Sequence, residues 1–324
     1  MRAVVCEAFG GPETLVVREA PDPAPGRGEV LVETAMVGLN FFDTLLIQDK
    51  YQFKASPPFS PGGEFSGRVA ALGPGVEDLA VGQRVAGYMT YGAARSHLVV
   101  RPDAVVTVPD EVSDEAAAGL FVTYGTTLHA LRQRGDLQPG ETLAVLGASG
   151  GVGVAAVEIG KIMGARVIAC ASSPDKLDFA KRFGADEGID YSAENLKDAL
   201  KQATNGKGVD VVYDPVGGAY SEAALRALAW KGRLLVIGFA AGDIPRIPLN
   251  LTLLKGCDIR GVFWGDFIKR EPQVHRANMT QLLEWTEQGR LAVHVHGVWP
   301  FDETAQAMGE LVARKARGKV LLRP

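Results

Sequence analysis

The apolar run Leu143-Ala144-Val145-Leu146 breaks into Gly147-Ala148-Ser149-Gly150-Gly151-Val152-Gly153 and resumes as small, apolar, helix-compatible residues to Met163. No other stretch constrains the fold as tightly, because a buried strand must turn sharply there and open directly onto a helix. Such a turn holds an anion. Gly150 lets the backbone approach a pyrophosphate, and Gly153 lets the helix pack closely on the strand. The helix N-terminus then presents free N–H groups and a positive dipole end. Ser149, Gly151 and Val152 complete the candidate pyrophosphate turn. Arg166 to Ala171 reads as the next strand and closes a βαβ unit.

The end of that second strand points to the cofactor. NAD-binding units place an Asp or Glu about 20 residues after the glycines, where it accepts from the ribose 2′-OH. Here the residues are Ser172-Ser173-Pro174-Asp175-Lys176. Two hydroxyls and an ammonium can donate to a 2′-phosphate, and Pro174 suits the first turn of a helix whose N-terminus adds donors. NADPH is therefore expected over NADH. A plainer reading is that the serines cap the helix and Lys176 is solvated.

At 324 residues and 47 % hydrophobic content the chain can fill two cores. Its net charge of −4 gives no basic excess to suggest a nucleic-acid surface. Cys6, Cys170 and Cys257 are isolated, which provides neither a disulfide framework nor a cysteine-rich zinc lobe. No apolar run is long enough to span a bilayer and no secretory pattern is present, so a cytoplasmic protein is expected, with no membrane partner.

Short apolar segments separated by Gly and Pro fill the first third: Arg2 to Cys6, Val30 to Ala35, Gly67 to Leu72, Gln83 to Tyr88 and His97 to Val100 read as strands. From about Ser113 longer helices and buried strands alternate. Asp114 to Leu131 is helix-compatible with a break near Thr123-Tyr124-Gly125. Strands are expected at Asp186 to Asp190, Val209 to Asp214, Arg233 to Gly238 and Ile259 to Phe263, with Tyr220 to Ala229 and Asn278 to Gln288 helical. Six parallel strands make a complete dinucleotide fold. The expected class is thus α/β, a doubly wound parallel Rossmann sheet beside a smaller, mostly β domain. The strand-like Lys319 to Arg323 is assigned to the first domain.

Val37-Gly38-Leu39-Asn40-Phe41-Phe42-Asp43, Pro61 to Gly67, the glycine turn, Phe183-Gly184-Ala185-Asp186, Asp214-Pro215-Val216-Gly217-Gly218 and Gly318-Lys319-Val320 follow one another in an order and spacing specific to a family. On these marks the whole chain resembles the zinc-free quinone oxidoreductase branch of the medium-chain dehydrogenase/reductase superfamily. The resemblance implies a GroES-like catalytic domain of residues 1–121 and 266–324, a Rossmann domain of residues 122–265, and a homodimer. It places Asn40 at the nicotinamide end, Tyr51 in the acceptor pocket and Thr126 against the cofactor. Tyr191 falls beside Lys176 at the 2′-phosphate, while Arg314 and Lys319 reach cofactor phosphates. Phe239, following the fifth strand on the ligand-binding side of such sheets, could meet the nicotinamide amide through its backbone.

In zinc-bearing relatives a Cys stands where this chain has Asn40 and a His where it has Gly63, and only Glu64 remains. The five histidines add no ligand spacing beyond His294-Val295-His296. Without a Lewis acid the expected chemistry is hydride transfer from NADPH to an acceptor that is already electrophilic, a quinone or related α,β-unsaturated carbonyl. Asn40 and Tyr51 are the candidate catalytic residues, since an amide both donates and accepts and a phenol can hydrogen-bond a developing oxyanion. Plainer readings are an Asn40 that caps the following helix and a Tyr51 that sits on a surface loop. The competing functions are an enoyl-thioester or 2-alkenal reductase on the same scaffold, and an NADPH-binding structural or regulatory protein with little turnover.

Overall fold

The computed structural model describes residues 1–324. The chain divides into two compact units, Met1–Val122 with Gln273–Pro324, and Thr123–Pro272. The second boundary lies beyond the expected residue 266, because the helix Trp264–Arg270 belongs to the second unit. There Trp264 packs on Gly125, where an added Cβ would lie 3.1 Å from its ring, and Phe267 stacks on His129 with ring centroids 3.8 Å apart. These two aromatic contacts tie the helix to the second unit.

The first unit is built on a mixed sheet ordered Val295–Pro300, Lys319–Arg323, Val30–Leu39, Glu64–Leu72, Arg84–Tyr88, Val105–Thr107, with His97–Val100 also pairing with Val30–Leu39. A hairpin of Arg2–Cys6 and Leu15–Glu19 lies outside it. Alternating residues such as Val30, Val32, Val37, Phe65, Val85, Val320 and Leu322 fill its core, together with Phe301 and Met308 from the C-terminal segment. The terminal strand enters antiparallel beside Val30–Leu39, with Val320 opposite Leu39, while Glu64 pairs with Gly38 on the other side. This register brings Lys319, Asn40 and Glu64 to neighbouring strand ends.

The second unit holds six parallel strands ordered Glu187–Asp190, Arg166–Ala171, Thr142–Leu146, Val209–Asp214, Leu228–Val236, Asp258–Gly261. In chain order this is 3-2-1-4-5-6, the doubly wound dinucleotide arrangement, whose ligands bind beyond the carboxyl ends of the strands. Near-continuous apolar runs suit strands buried on both faces. Ala144, Leu146, Ile168, Cys170, Val212 and Leu234 are all buried in one cluster. The helix break falls at Phe121-Val122 rather than Thr123-Tyr124-Gly125: Asp114–Leu120 ends first, then Thr123–Leu128 continues into a π-helical turn at His129–Arg134. No helix is long and apolar enough to cross a membrane.

Candidate active site

In the second unit the strand Thr142–Leu146 ends at Gly147, whose φ of +60° lies in the left-handed region, and the helix Gly151–Ile162 starts with Gly150 as its N-cap. The glycines have separate duties. A Cβ on Gly153 would lie 2.2 Å from the Gly147 carbonyl oxygen and 2.8 Å from the Ala148 Cα, so no side chain fits between turn and helix. A Cβ on Gly150 would meet only the Gly147 oxygen, at 3.5 Å, which leaves this position open for an approaching group. Ser149 is buried and Gly151 and Val152 are half-buried at the mouth of the turn, where the first-turn N–H groups have no intrahelical acceptor.

The helix carrying Thr126 is fastened to this turn. Tyr124 Oη donates to Glu158 Oε2 at 2.5 Å, and Thr127 Oγ1 lies 2.8 Å from Tyr213 Oη and 3.4 Å from the Val152 carbonyl oxygen. Thr126 itself stays half-exposed beside them.

Ser172, Ser173, Lys176, Tyr191 and Ser192 come together past the ends of the second and third strands. Lys176 Nζ donates to Ser172 Oγ at 3.1 Å, and Ser192 Oγ donates to the Ser172 carbonyl at 3.1 Å. Tyr191 packs on Tyr220, with ring centroids 4.3 Å apart. The nearest carboxylates are turned onto hydroxyls: Asp175 accepts from Ser173, and Asp190 accepts from the backbone and side chain of Ser192. Phe239, 36 % exposed, stands past the fifth strand beside Gly217, where a Cβ would meet its ring at 2.9 Å.

Asp214, buried at the end of the fourth strand, is a residue the sequence reading did not assign. Its Oδ1 accepts from the N–H groups of Val216 and Gly217, each at 2.9 Å, and its Oδ2 from Ser221 Oγ at 2.5 Å. It thereby shapes the turn on the ligand-binding side of the sheet.

In the first unit Asn40 is the N-cap of the helix Phe41–Leu46, and Asp43 reaches back to the Asn40 N–H at 2.8 Å. The capping reading is thus correct for the backbone, but the side-chain amide is used elsewhere. Asn40 Nδ2 donates to Glu64 Oε1 at 2.8 Å, while Lys319 Nζ donates to Asn40 Oδ1 at 2.8 Å and to the same Glu64 oxygen at 2.5 Å. Lys319 is 2 % exposed and Glu64 fully buried. With Leu39 O as a third acceptor, the ammonium has no donor left for a phosphate. The expectation that Lys319 reaches the cofactor phosphates is corrected accordingly. Arg314 is exposed, with a left-handed φ of +55°.

Asp43 is wholly buried. Burial drives its pKa up, the N–H groups of Asn40 and Gly62 and the Lys319 charge hold it back, and the result is about 7. Tyr51 stacks on Phe42, with centroids 5.3 Å apart at 27°, and packs against Phe53. It lies half-buried between the helix Phe41–Leu46 and the strand Glu64–Leu72, where the surface-loop reading puts it, with its ring packed on both phenylalanines. Burial first, and then the Asp43 charge, raise its pKa, so the phenol keeps its proton at neutral pH. Phe263 is 50 % exposed and Trp264 buried, and His296 pairs with Glu310 at 3.3 Å.

Residues 26–110 match the alcohol dehydrogenase GroES-like domain, and residues 151–286 match the zinc-binding dehydrogenase family. Quinone oxidoreductase-like protein 2 of Rattus norvegicus is 37 % identical over 99 % of this chain and 91 % of its own. The chain belongs to the medium-chain dehydrogenase/reductase superfamily. A quinone oxidoreductase of Pseudomonas aeruginosa is 35 % identical over 98 % of both chains. The structure of Escherichia coli quinone oxidoreductase complexed with NADPH superposes with a TM-score of 0.93 at 29 % identity, over the full length of both.

The zinc implied by the name of the zinc-binding dehydrogenase family does not fit this chain. No group of three or more His, Cys, Asp or Glu side chains could hold a metal ion. Glu64 already faces the Lys319 ammonium, and a side chain on Gly63 would collide with Phe42, 2.7 Å from a built Cβ.

Proposed function

We propose that this chain, an NADPH-dependent oxidoreductase of the medium-chain superfamily, reduces quinones or related α,β-unsaturated carbonyls without zinc. The observation that carries the cofactor half is the cluster of Ser172, Ser173, Lys176 and Tyr191, in which hydroxyls and an ammonium surround the second strand's end and its neighbouring carboxylates are turned onto serines. The acceptor half follows the relatives named quinone oxidoreductase.

In this reading Gly150, Gly151 and Val152 offer backbone N–H groups to the pyrophosphate, and Gly153 keeps the helix close enough to do so. The Lys176 ammonium offsets the charge of the 2′-phosphate and the two serine hydroxyls donate hydrogen bonds to it, with Tyr191 beside them. Thr126 and Phe239 flank the nicotinamide half, and the exposed Arg314 contributes positive charge. When bound, the cofactor supplies a hydride. Asn40 orients the reacting end, and the protonated Tyr51 phenol donates a hydrogen bond to the oxygen on which negative charge develops.

The test is NADPH oxidation by metal-depleted protein against quinones, alkenals and enoyl thioesters, repeated with NADH. Quinone turnover with the highest kcat/KM supports the assignment; preference for an alkenal or thioester reassigns the substrate. Tight NADPH binding without turnover of any acceptor would mean a binding protein. For Lys176→Ala, the KM for NADPH should rise at least about tenfold, the value of one lost charge-assisted contact, with little change for NADH. Equal losses for both cofactors would remove Lys176 from the 2′-phosphate.

We also propose a homodimer formed through the outer edge of the second unit's sheet. The strand Asp258–Gly261 is paired on one side only, and Trp230, Leu249, Leu253 and Leu254 nearby are each about 70–80 % exposed. Light scattering should give the mass of a pair, and Leu253→Glu with Leu254→Glu should give that of one chain. A monomeric parent protein would reject this interface.

A further inference from the structure

Buried charge pairs contribute little to stability, since the attraction roughly offsets the cost of taking both ions out of water; where one persists, another role is worth testing. Lys319 and Glu64 form such a pair, 2 % and 0 % exposed. What they enclose is the Asn40 side chain. A free asparagine amide can flip, exchanging donor and acceptor ends at little cost. Here the carboxylate can only accept and the ammonium can only donate, so the Nδ2 end must face Glu64 and the Oδ1 end must face Lys319. The backbone is held as firmly: Asp43 takes the Asn40 N–H, and Glu64 Oε2 accepts from the Val122 N–H at 2.8 Å. Gly119 and Gly38 make the packing possible, because a Cβ at either would press on Lys319 Cγ at 3.1 Å or Glu64 Cγ at 2.5 Å.

We propose that Lys319 and Glu64 are positioning residues that fix the flip state of the Asn40 amide and polarise it, leaving its second N–H as a single, pre-aimed donor. Ammonium donation to Oδ1 withdraws electron density from the amide and strengthens the remaining N–H. The inference rests on the reading of Asn40 as the residue that orients the reacting end. The orientation itself is a property of the protein alone and can be measured without substrate.

The decisive variant is Glu64→Gln with Lys319→Met. It removes both charges together and leaves neither ion unpaired, whereas each single change strands a buried charge. In protein labelled with 15N-asparagine, the Asn40 side-chain signal is assigned among those of Asn195, Asn205, Asn250 and Asn278 by its loss in Asn40→Ser. The parent should show two well-separated Asn40 amide protons that exchange slowly. The double variant should show them closer together and exchanging at least about tenfold faster. With the preferred acceptor its kcat should fall by about 10- to 100-fold, the usual effect of a misplaced group, while the Kd for NADPH changes less than about twofold. In an Asn40→Ala background the same double change should leave kcat within about twofold, since positioning residues act only through the group they position.

A folded double variant with unchanged Asn40 signals and kcat overturns the proposal. So does a kcat loss that persists undiminished in the Asn40→Ala background. If the double variant fails to fold, the parent protein decides: Asn40 amide protons that overlap and exchange as fast as those of an exposed asparagine overturn the proposal. The altered NMR signature in a protein that turns over no acceptor would retain the positioning role and reject the proposed function instead.

Discussion

Gly153→Ala should lower stability by about 3 kcal/mol, the upper end for overpacking a close-packed site, and should weaken NADPH binding by more than about tenfold. The new methyl would stand 2.2 Å from the Gly147 carbonyl oxygen and within 3 Å of the Ala148 Cα and carbonyl carbon, all of them backbone atoms with no rotamer to escape into. Relief requires the helix Gly151–Ile162 to move off the strand Thr142–Leu146, and that movement carries the N–H groups of Gly151 and Val152 away from the phosphates. The Tm should fall by about 6–12 °C. Gly150→Ala provides the contrast. Its Cβ meets only one atom, at 3.5 Å, and its cap backbone is extended at φ −77°, so stability should barely change while cofactor binding falls, because the methyl occupies the approach to the turn. Thermal melts and NADPH titrations of both proteins separate the two duties. Equal behaviour of the two variants would contradict the division of labour between the glycines.

That turn was legible because its physics is local. Strand, glycines and helix are consecutive, and each position's requirement follows from its neighbours. The parallel strands were legible for a related reason, since runs such as Val209–Asp214 are apolar enough to be buried on both faces. Boundaries were harder. The fifth strand starts at Leu228, within a segment whose composition reads as helix to Ala229, because the helix Ala219–Arg226 ends early and a register shift follows in the pairing. The short strands Leu15–Glu19 and Val105–Thr107 carry no periodic signal of their own and form by pairing with Arg2–Cys6 and Arg84–Tyr88.

The first unit's site was legible only in part, and Lys319 shows why. In sequence it closes a basic run, Arg314-Lys315-Ala316-Arg317, which by composition is solvated. Arg314 and Lys315 are indeed exposed. Lys319 differs because the strand it opens runs antiparallel beside Val30–Leu39, which places an ammonium next to a carboxylate 255 residues away in the chain. No local pattern encodes that pairing. Asn40 has the same history: its helix-capping role is local and readable, whereas the engagement of its amide by two buried charges is set by strand register.

Substitutions at Asp214 separate acceptor geometry from negative charge in holding the turn after the fourth strand. Asp214→Ala leaves the N–H groups of Val216 and Gly217 and the Ser221 hydroxyl without their partner in a buried site, at a cost of about 3 kcal/mol. The turn they shape is continuous with the loop after the fifth strand: Ala240 and Ala241 donate to the carbonyls of Pro215 and Val216, and Gly218 donates to Asp243. Loosening it should therefore move Phe239, and the KM for NADPH should rise several-fold alongside the stability loss. Asp214→Asn should be much milder. Its Oδ1 can still accept from both backbone N–H groups, while the new Nδ2 donates to a Ser221 hydroxyl that rotates to accept. Chemical unfolding and steady-state kinetics of the two variants supply the check. If Asp214→Asn proves as damaging as Asp214→Ala, the negative charge rather than the acceptor geometry holds the turn; if neither changes the KM, the turn does not position the cofactor side of the sheet.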